Sequence, residues 1–366
     1  MKTLLALFVV FYTLPSLAQR LVSPEIHHDH SVTFRLKAPN AKKVELQCEG
    51  IKETGMKMDR DTVWSVTTGV MQPDIYSYTF IVDGLPIIDP NNSLIKYNLL
   101  NTVSQLHIPG PNSLPWEIND VPHGQVHTVY YKSAVIGDNR HFMVYTPPNY
   151  DPLAKPGYPV LYLLHGFSDN DDAWTSVGCA NIILDNLIAR GQAKPMIVVM
   201  PLGYGNWKII TNGWKGIRNP EITLDSYNKF RESLFTEVIP QVEKAFNATH
   251  DAKSRAIAGL SMGGAQSLYF GLNAPDKFNW IGAFSSGEIR NIDERFPNIN
   301  ASLNSKIKLL WIACGQQDGL LANNQKLVQW LKSKGIRYNW IETPGYHSFM
   351  VWRPYLAEFL PLLFQE

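Results

Sequence analysis

The chain has 366 residues with 33 basic and 32 acidic side chains, a formal net charge of +1 and a pI near 7.7. So balanced a surface offers no basic field for nucleic acid and no acidic tail, which directs the search for partners toward neutral or weakly charged molecules. Three cysteines, Cys48, Cys179 and Cys314, are too few and too scattered for a disulfide scaffold.

The first residues, MKTLLALFVVFYTLPSLA, place a lysine ahead of an apolar core and end on small residues. This is the pattern of a secretory signal peptide over 1–18, giving an exported, secreted or periplasmic protein. No later stretch has the roughly 18 uninterrupted apolar residues of a membrane span. The rest of the chain is expected to divide into a β-sandwich over 19–105, a linker over 106–123 and an α/β domain over 124–366.

From 21 to 103 the pattern is strand only. Short alternating runs at 31–36, 43–47, 64–66 and 76–82 are separated by the turn signals Pro39-Asn40, Pro73-Asp74 and Asp83-Gly84. The aromatics Trp64, Tyr76 and Tyr78 fit core positions on one strand face better than an exposed sugar-stacking platform. His27-His28-Asp29-His30 resembles a metal cluster only superficially, since consecutive residues of an extended chain point to opposite faces. The following IPGPNSLPWEINDVPHG, rich in proline and glycine, is read as the linker, with Trp116 as a docking residue.

Strands at 125–131 and 140–145 open the second domain. Buried-type strands at 160–164, 196–200, 255–259, 280–285, 308–313 and 337–342 then alternate with helices at 181–191, 224–245, 264–272, 323–334 and 354–364. Apolar strands alternating with helices predict a doubly wound, largely parallel sheet. Within this series Gly259-Leu260-Ser261-Met262-Gly263 matches G-x-S-x-G between a strand and a helix, the context of a nucleophile elbow. The fold class is therefore α/β-hydrolase, preceded by a small all-β sandwich whose KAPNAKKVEL and YSYTFIVDG resemble immunoglobulin-like (early-set) domains.

A serine hydroxyl needs a base, and the base needs an orienting acid. His347 is the one histidine that follows Ser261 in the sequence. It lies in a loop after the last strand, where a side chain reaches the carboxyl edge of the sheet. Asp318 follows the preceding strand directly and is preferred as the acid over Asp293, Glu288 and Glu342. The oxyanion donors are expected to be the amides of Met262, next to the nucleophile, and Phe167, in the His-Gly turn where Gly166 supplies the tight bend. No metal or organic cofactor is required. The acidic run Asp169, Asp171, Asp172 lacks the ligand spacing of a calcium loop. Trp207, Trp214 and Trp352 are candidates for an aromatic slot around a flat acyl group, each equally able to be core or surface.

Four segments, LYLLHGFSDNDDAW, IAGLSMGGAQSLYFGL, WIACGQQD and GYHSFMVWRPYL, together resemble the esterase D superfamily, in particular the feruloyl and acetylxylan esterases of carbohydrate esterase family 1. KAPNAKKVEL, YSYTFIVDG and DPNN in the first domain resemble the early-set domains of carbohydrate-binding module family 48. The resemblance implies a serine esterase that releases feruloyl or acetyl groups from plant cell-wall xylan, using Ser261, Asp318 and His347. The loop at 202–220 matches no motif of that family, and acyl preference is expected to be decided there. Rival readings are an acetyl-specific xylan esterase, a ferric-siderophore esterase served by Lys208, Lys215 and Arg218, and a glycan-binding protein with a relic hydrolase domain. Oligomeric state is not legible.

Overall fold

The computed structural model describes residues 21–365; the expected signal peptide lies outside the described residues. Between Glu25 and Ile108 two sheets face each other. One runs Glu25–Ile26, Val32–Lys37, Val63–Thr67, Lys57–Met58; the other runs Thr54–Gly55, Val44–Cys48, Asp74–Val82, Val103–Ile108, Ile95–Lys96, with Leu85–Ile87 added on Asp74–Val82. Along Val44–Cys48 the period of two is plain: Val44, Leu46 and Cys48 are buried while Glu45 and Gln47 are not. Phe34, Leu46 and Phe80 fill the space between the sheets. Trp64, Tyr76 and Tyr78 are buried with them, so the core reading of these aromatics holds and the stacking-platform reading does not.

The segment expected as a linker is more structured than its prolines suggest. Strand Val103–Ile108 carries three residues past the anticipated boundary, all paired with Asp74–Val82. Trp116 is buried in the core of the α/β domain, with Leu161 and Trp174. The carbonyls of Pro115 and Glu117 both accept from Asn186 Nδ2 at 2.8 Å. The turn residues direct this chain along a surface rather than releasing it into solvent.

A third sheet has eight strands in the order Gln125–Lys132, Asn139–Thr146, Ile197–Pro201, Val160–Leu164, Arg255–Leu260, Trp280–Phe284, Leu309–Gly315, Asn339–Thr343. Asn139–Thr146 is antiparallel to both its neighbours, and the strands from Ile197–Pro201 onward are mutually parallel. Val160–Leu164, Ile197–Pro201 and Arg255–Leu260 are buried at every position, as central strands covered on both faces require. One apolar layer, with Trp174, Trp311 and Phe359, lies on one face, and a second, with Phe230, Leu234 and Leu268, lies on the other. This is the α/β-hydrolase arrangement.

Two helices depart from expectation. The helix anticipated at 224–245 begins at Pro220, because Asn219 caps it by accepting from the N–H groups of Glu221 and Ile222 and Pro220 occupies the first turn. It passes through a π-helical turn, Leu234–Val238, before ending as Ile239–Ala245. The last helix runs Phe349–Phe359, a turn earlier than expected. Pro354 sits inside it rather than starting it, at the cost of one backbone hydrogen bond.

Candidate active site

The centre of the site is a turn forced by two glycines. Strand Arg255–Leu260 must reverse into helix Met262–Asn273 through a single residue, Ser261, held at φ 50° and ψ −116°. A Cβ at Gly259 would stand 2.7 Å from Leu164 O, and one at Gly263 would stand 2.5 Å from His165 O. Any side chain there would collide with backbone, so the spacing G-x-S-x-G is a steric requirement. The turn is pinned from both sides: Ser261 N–H donates to Phe284 O at 2.9 Å, and Gly287 N–H donates to Ser261 O at 2.8 Å. Strain of this kind persists only where neighbours over-determine it.

Against this serine the chain brings His347 and Asp318 from the ends of two later strands. His347 Nε2 is 3.0 Å from Ser261 Oγ, and His347 Nδ1 is 2.7 Å from Asp318 Oδ2. Asp318 also accepts from Leu320 N–H at 2.8 Å. Burial alone would push its carboxyl up, but the hydrogen bond and charge of His347, with the Leu320 bond, prevail and hold it below its ordinary value. A carboxylate kept ionised at Nδ1 fixes the ring with Nε2 facing the serine. Of the competing acids, Asp293 pairs with Lys334 and Trp330, while Glu342 accepts from Gln325 and Trp340.

Phe167 and Met262 line the same cavity as the serine. Met262 is the first residue of the elbow helix, where an N–H has no intrahelical acceptor. Neither its N–H nor that of Phe167 donates to a protein acceptor among the described residues. The turn carrying Phe167 is held by a buried histidine: His165 Nδ1–H donates to Gly166 O at 2.7 Å, and its Nε2 accepts from Gly203 N–H at 2.9 Å. Burial pushes His165 below its ordinary value, so the ring is neutral, as that hydrogen-bond pattern demands. Gly166, named with the substrate-binding residues, turns toward Leu260, whose Cδ1 lies 2.6 Å from where a Cβ would be, and is not among the residues lining the cavity beside Ser261.

A cavity of about 370 Å³ opens beside Ser261 and Met262, walled by Phe167, Trp214, Ile217, Tyr227 and Tyr269. Trp214, though exposed, packs its ring 4.9 Å from that of Phe167. The other two tryptophans expected around the acyl group do not line this cavity. Trp207 is tied by its indole N–H to Asp138 at 2.7 Å and lies beneath the Arg140 guanidinium. Trp352 is buried, donates to Ser285 Oγ at 3.1 Å, and sets its ring edge-to-face against His347 with centroids 4.8 Å apart. It braces the imidazole instead of walling the slot. Tyr227 and Tyr269, together with Arg290 and Arg295, were not foreseen, whereas Arg218, named in the ferric-siderophore reading, does line the cavity and Lys208 and Lys215 do not. The Asn219-Pro220 cap signal was the available clue to Tyr227, since it sets the phase of that helix.

The first β unit reaches this site. Leu99 N–H donates to Ser168 O at 2.7 Å, and Asn98 Nδ2 donates to Asp169 Oδ1 at 2.9 Å. Lys96 Nζ stands 5.0 Å from the centre of the Phe349 ring. Deeper in, the fully buried Arg353 donates to Asp74 Oδ1 at 2.6 Å, to Ile75 O at 2.7 Å and to Val177 O at 2.9 Å. Residues of the first hundred therefore support both the Phe167 turn and the helix behind His347. No cluster of side chains fit to hold a metal ion occurs among the described residues.

Comparison with known proteins agrees with this architecture. Residues 133–363 match the family model described as Putative esterase. An endo-1,4-beta-xylanase/feruloyl esterase of Xylanibacter ruminicola is 31% identical over 350 residues, covering 93% of this chain and 46% of that protein. An acetyl esterase of Caldicellulosiruptor saccharolyticus is 26% identical over 231 residues, covering 54% of this chain and 80% of that protein. The chain thus spans less than half the length of the xylanase/feruloyl esterase, and 27% of the endo-1,4-beta-xylanase Y of Acetivibrio thermocellus that it also matches. Among solved structures, a CE1 ferulic acid esterase of Anaeromyces mucronatus in complex with ferulic acid superposes with a TM-score of 0.61 at 25% identity, covering 71% of this chain and 98% of that one. The enterobactin esterase of Shigella flexneri shares the fold over 90% of this chain and 92% of its own, with a TM-score of 0.66 at 20% identity. The chain belongs to the esterase family that its residues 133–363 match.

Proposed function

We propose that this protein is an exported serine esterase that hydrolyses feruloyl and related hydroxycinnamoyl esters on plant cell-wall xylan. The reading places a signal peptide over 1–18, a β domain that resembles carbohydrate-binding module family 48, and a catalytic domain reached through the segment ending near 123. The observation that carries it is the continuous relay Asp318–His347–Ser261, with Ser261 in the wall of an apolar, aromatic cavity. His347 Nε2 takes the Ser261 proton as Oγ bonds to the ester carbon, and the carbonyl electron pair moves to its oxygen beside the amides of Phe167 and Met262. Collapse breaks the bond to the alcohol, which leaves with the proton from His347. Water, deprotonated by the same imidazole, then releases the acid and frees the serine. A planar phenolic acyl group suits walls made by Phe167, Trp214, Tyr227 and Tyr269, whereas an acetyl group would leave most of the cavity filled by solvent. The names of the xylanase/feruloyl esterase and of the ferulic acid esterase relatives support the same acyl class.

Turnover of methyl ferulate, with acetylated xylan as the competitor, tests the acyl assignment. Release of ferulate at a rate well above acetate is expected, and acetate release alone would overturn it. Labelling by an aryl phosphonate, lost in Ser261→Ala, tests the nucleophile. A second reading, an ester of a catecholate acid, is favoured by Arg218, Arg290 and Arg295, which line the same cavity. It predicts faster turnover of a dihydroxybenzoyl-serine ester than of methyl ferulate.

A further inference from the structure

A trans peptide is planar, and its carbonyl points opposite to the N–H of the following residue. Whatever grips the carbonyl therefore sets the direction of that N–H. Phe167 N–H, one of the two groups placed beside the oxyanion, shares its peptide with the carbonyl of Gly166. His165 Nδ1–H donates to this carbonyl at 2.7 Å and Asp169 N–H at 3.3 Å. The hydroxyl of the buried Tyr204 shares its proton between the same oxygen, at 3.2 Å, and Asp169 O, at 2.8 Å.

The Asp169 N–H that closes this turn belongs to a second peptide, whose other end is the carbonyl of Ser168. Ser168 is not a glycine, yet it sits at φ 67°, a conformation that a residue with a side chain keeps only where its surroundings impose it. The imposing contacts come from the β domain. Leu99 N–H donates to Ser168 O at 2.7 Å, and Asn98 Nδ2 donates to Asp169 Oδ1 at 2.9 Å. Asn98 also fixes the loop that presents Leu99: its Oδ1 accepts from the N–H groups of Leu100 and Asn101, each at 3.0 Å, and its carbonyl accepts from Thr102 Oγ1 at 3.1 Å. From Leu99 N–H to Ser168 O, and from Asp169 N–H to Gly166 O, two peptide units connect the loop between Ile95–Lys96 and Val103–Ile108 with Phe167 N–H.

We propose that Asn98 is a positioning residue for catalysis: through Leu99 N–H and the Asp169 side chain it holds the peptides of 166–169 so that Phe167 N–H faces the oxyanion. This rests on the esterase reading above and gives the β domain a part in it that needs no contact with sugar. Asn98 does not line the cavity beside Ser261. Because an oxyanion forms on every ester, its contribution is the same for all acyl groups, unlike that of Trp214.

The test uses the full-length protein with methyl ferulate and p-nitrophenyl acetate. Asn98→Asp keeps an acceptor for Leu100 and Asn101 but turns a second carboxylate toward Asp169; Asn98→Ala deletes the contact. kcat should fall about tenfold or more in the first and about 3- to 5-fold in the second, by the same factor on both substrates, with KM within about twofold. Inhibition by phenylboronic acid, whose tetrahedral adduct with the serine places an oxygen at the oxyanion position, should weaken by that factor, while inhibition by free ferulate should not change. Unchanged kcat in both variants would overturn the proposal, and so would a loss confined to methyl ferulate, which would make the loop an acyl contact. Failure of both variants to fold, or a loss of kcat that follows a lower Tm and spares the boronate, would assign Asn98 to the fold alone and overturn it as well. Wild-type protein that turns over neither ester would instead defeat the esterase reading, so the two failures are distinguishable.

Discussion

The elbow and the segment 202–220 face each other across the same cavity, yet they are built in opposite ways. The backbone of Ser261 is pinned from both sides: its own N–H and carbonyl are bonded to the adjoining strand and loop, and a Cβ on either flanking glycine would collide with the carbonyls of Leu164 or His165. The segment opposite consists of two short helices, Lys208–Thr211 and Trp214–Arg218, joined at Gly213 with φ 55°, and its Trp214 is 61% exposed. The part that makes and breaks bonds is fixed by sterics, whereas the part that judges the acyl group is held by a few side-chain contacts. Substitutions should therefore cost fold or chemistry on one side of the cavity and only selectivity on the other.

The largest effect should come from the relay. Asp318→Asn should lower kcat for methyl ferulate by about 10³-fold or more, because the amide leaves His347 without its orienting charge. Its pH signature follows from the depressed carboxyl. The stability that Asp318 contributes is fully present above the ordinary carboxylate value of about 3.9 and is lost as pH falls through the lower folded-state value. The acid limb of a melting-temperature profile should accordingly flatten in the variant. An unchanged limb would place the stabilising partner elsewhere.

Gly263→Ala comes next and should act on the fold. Its Cβ would meet two backbone carbonyls at 2.5 Å, so denaturant unfolding should show a loss of about 3 kcal/mol or more. A stable, active variant would break the claim that the elbow is sterically closed. Smallest is Trp214→Ala, which should raise KM for methyl ferulate about 3- to 10-fold, leave p-nitrophenyl acetate turnover alone, and move Tm by no more than about 2 °C. A matching loss on the acetate would mean that Trp214 supports the Phe167 amide rather than the acyl ring.

The same contrast explains what could be read from the sequence. Glycines at 259 and 263, a strand before them and a helix after are local signals with a steric cause, and the later strand ends leave few choices for base and acid. The alternation of buried strands with helices, and with it a largely parallel sheet, followed from periodicity. The tryptophans did not, because the fate of an indole depends on which neighbour claims its N–H. Asp138 claims Trp207 from 69 residues away, and Ser285 claims Trp352 from 67 residues away. Pro354 misled about the last helix for a related reason: the tertiary packing of Phe349, Val351 and Trp352 holds a first turn that proline statistics would cut off. The proline-marked stretch after 108 likewise owes its order to Asn186 and the core around Trp116, both distant in sequence.

The buried guanidinium of Arg353 carries a consequence for how the molecule can be divided. It donates to a carboxylate and a carbonyl contributed by one lobe and to a carbonyl of the other, with no water-exposed surface of its own. Severing the lobes would take from this guanidinium its carboxylate partner, Asp74, and the Ile75 carbonyl, leaving only Val177 O of its three acceptors. The two are modular as a succession of folds along the chain, but energetically they are one body, and transplanting the hydrolase onto another scaffold must carry a counter-ion for that arginine with it.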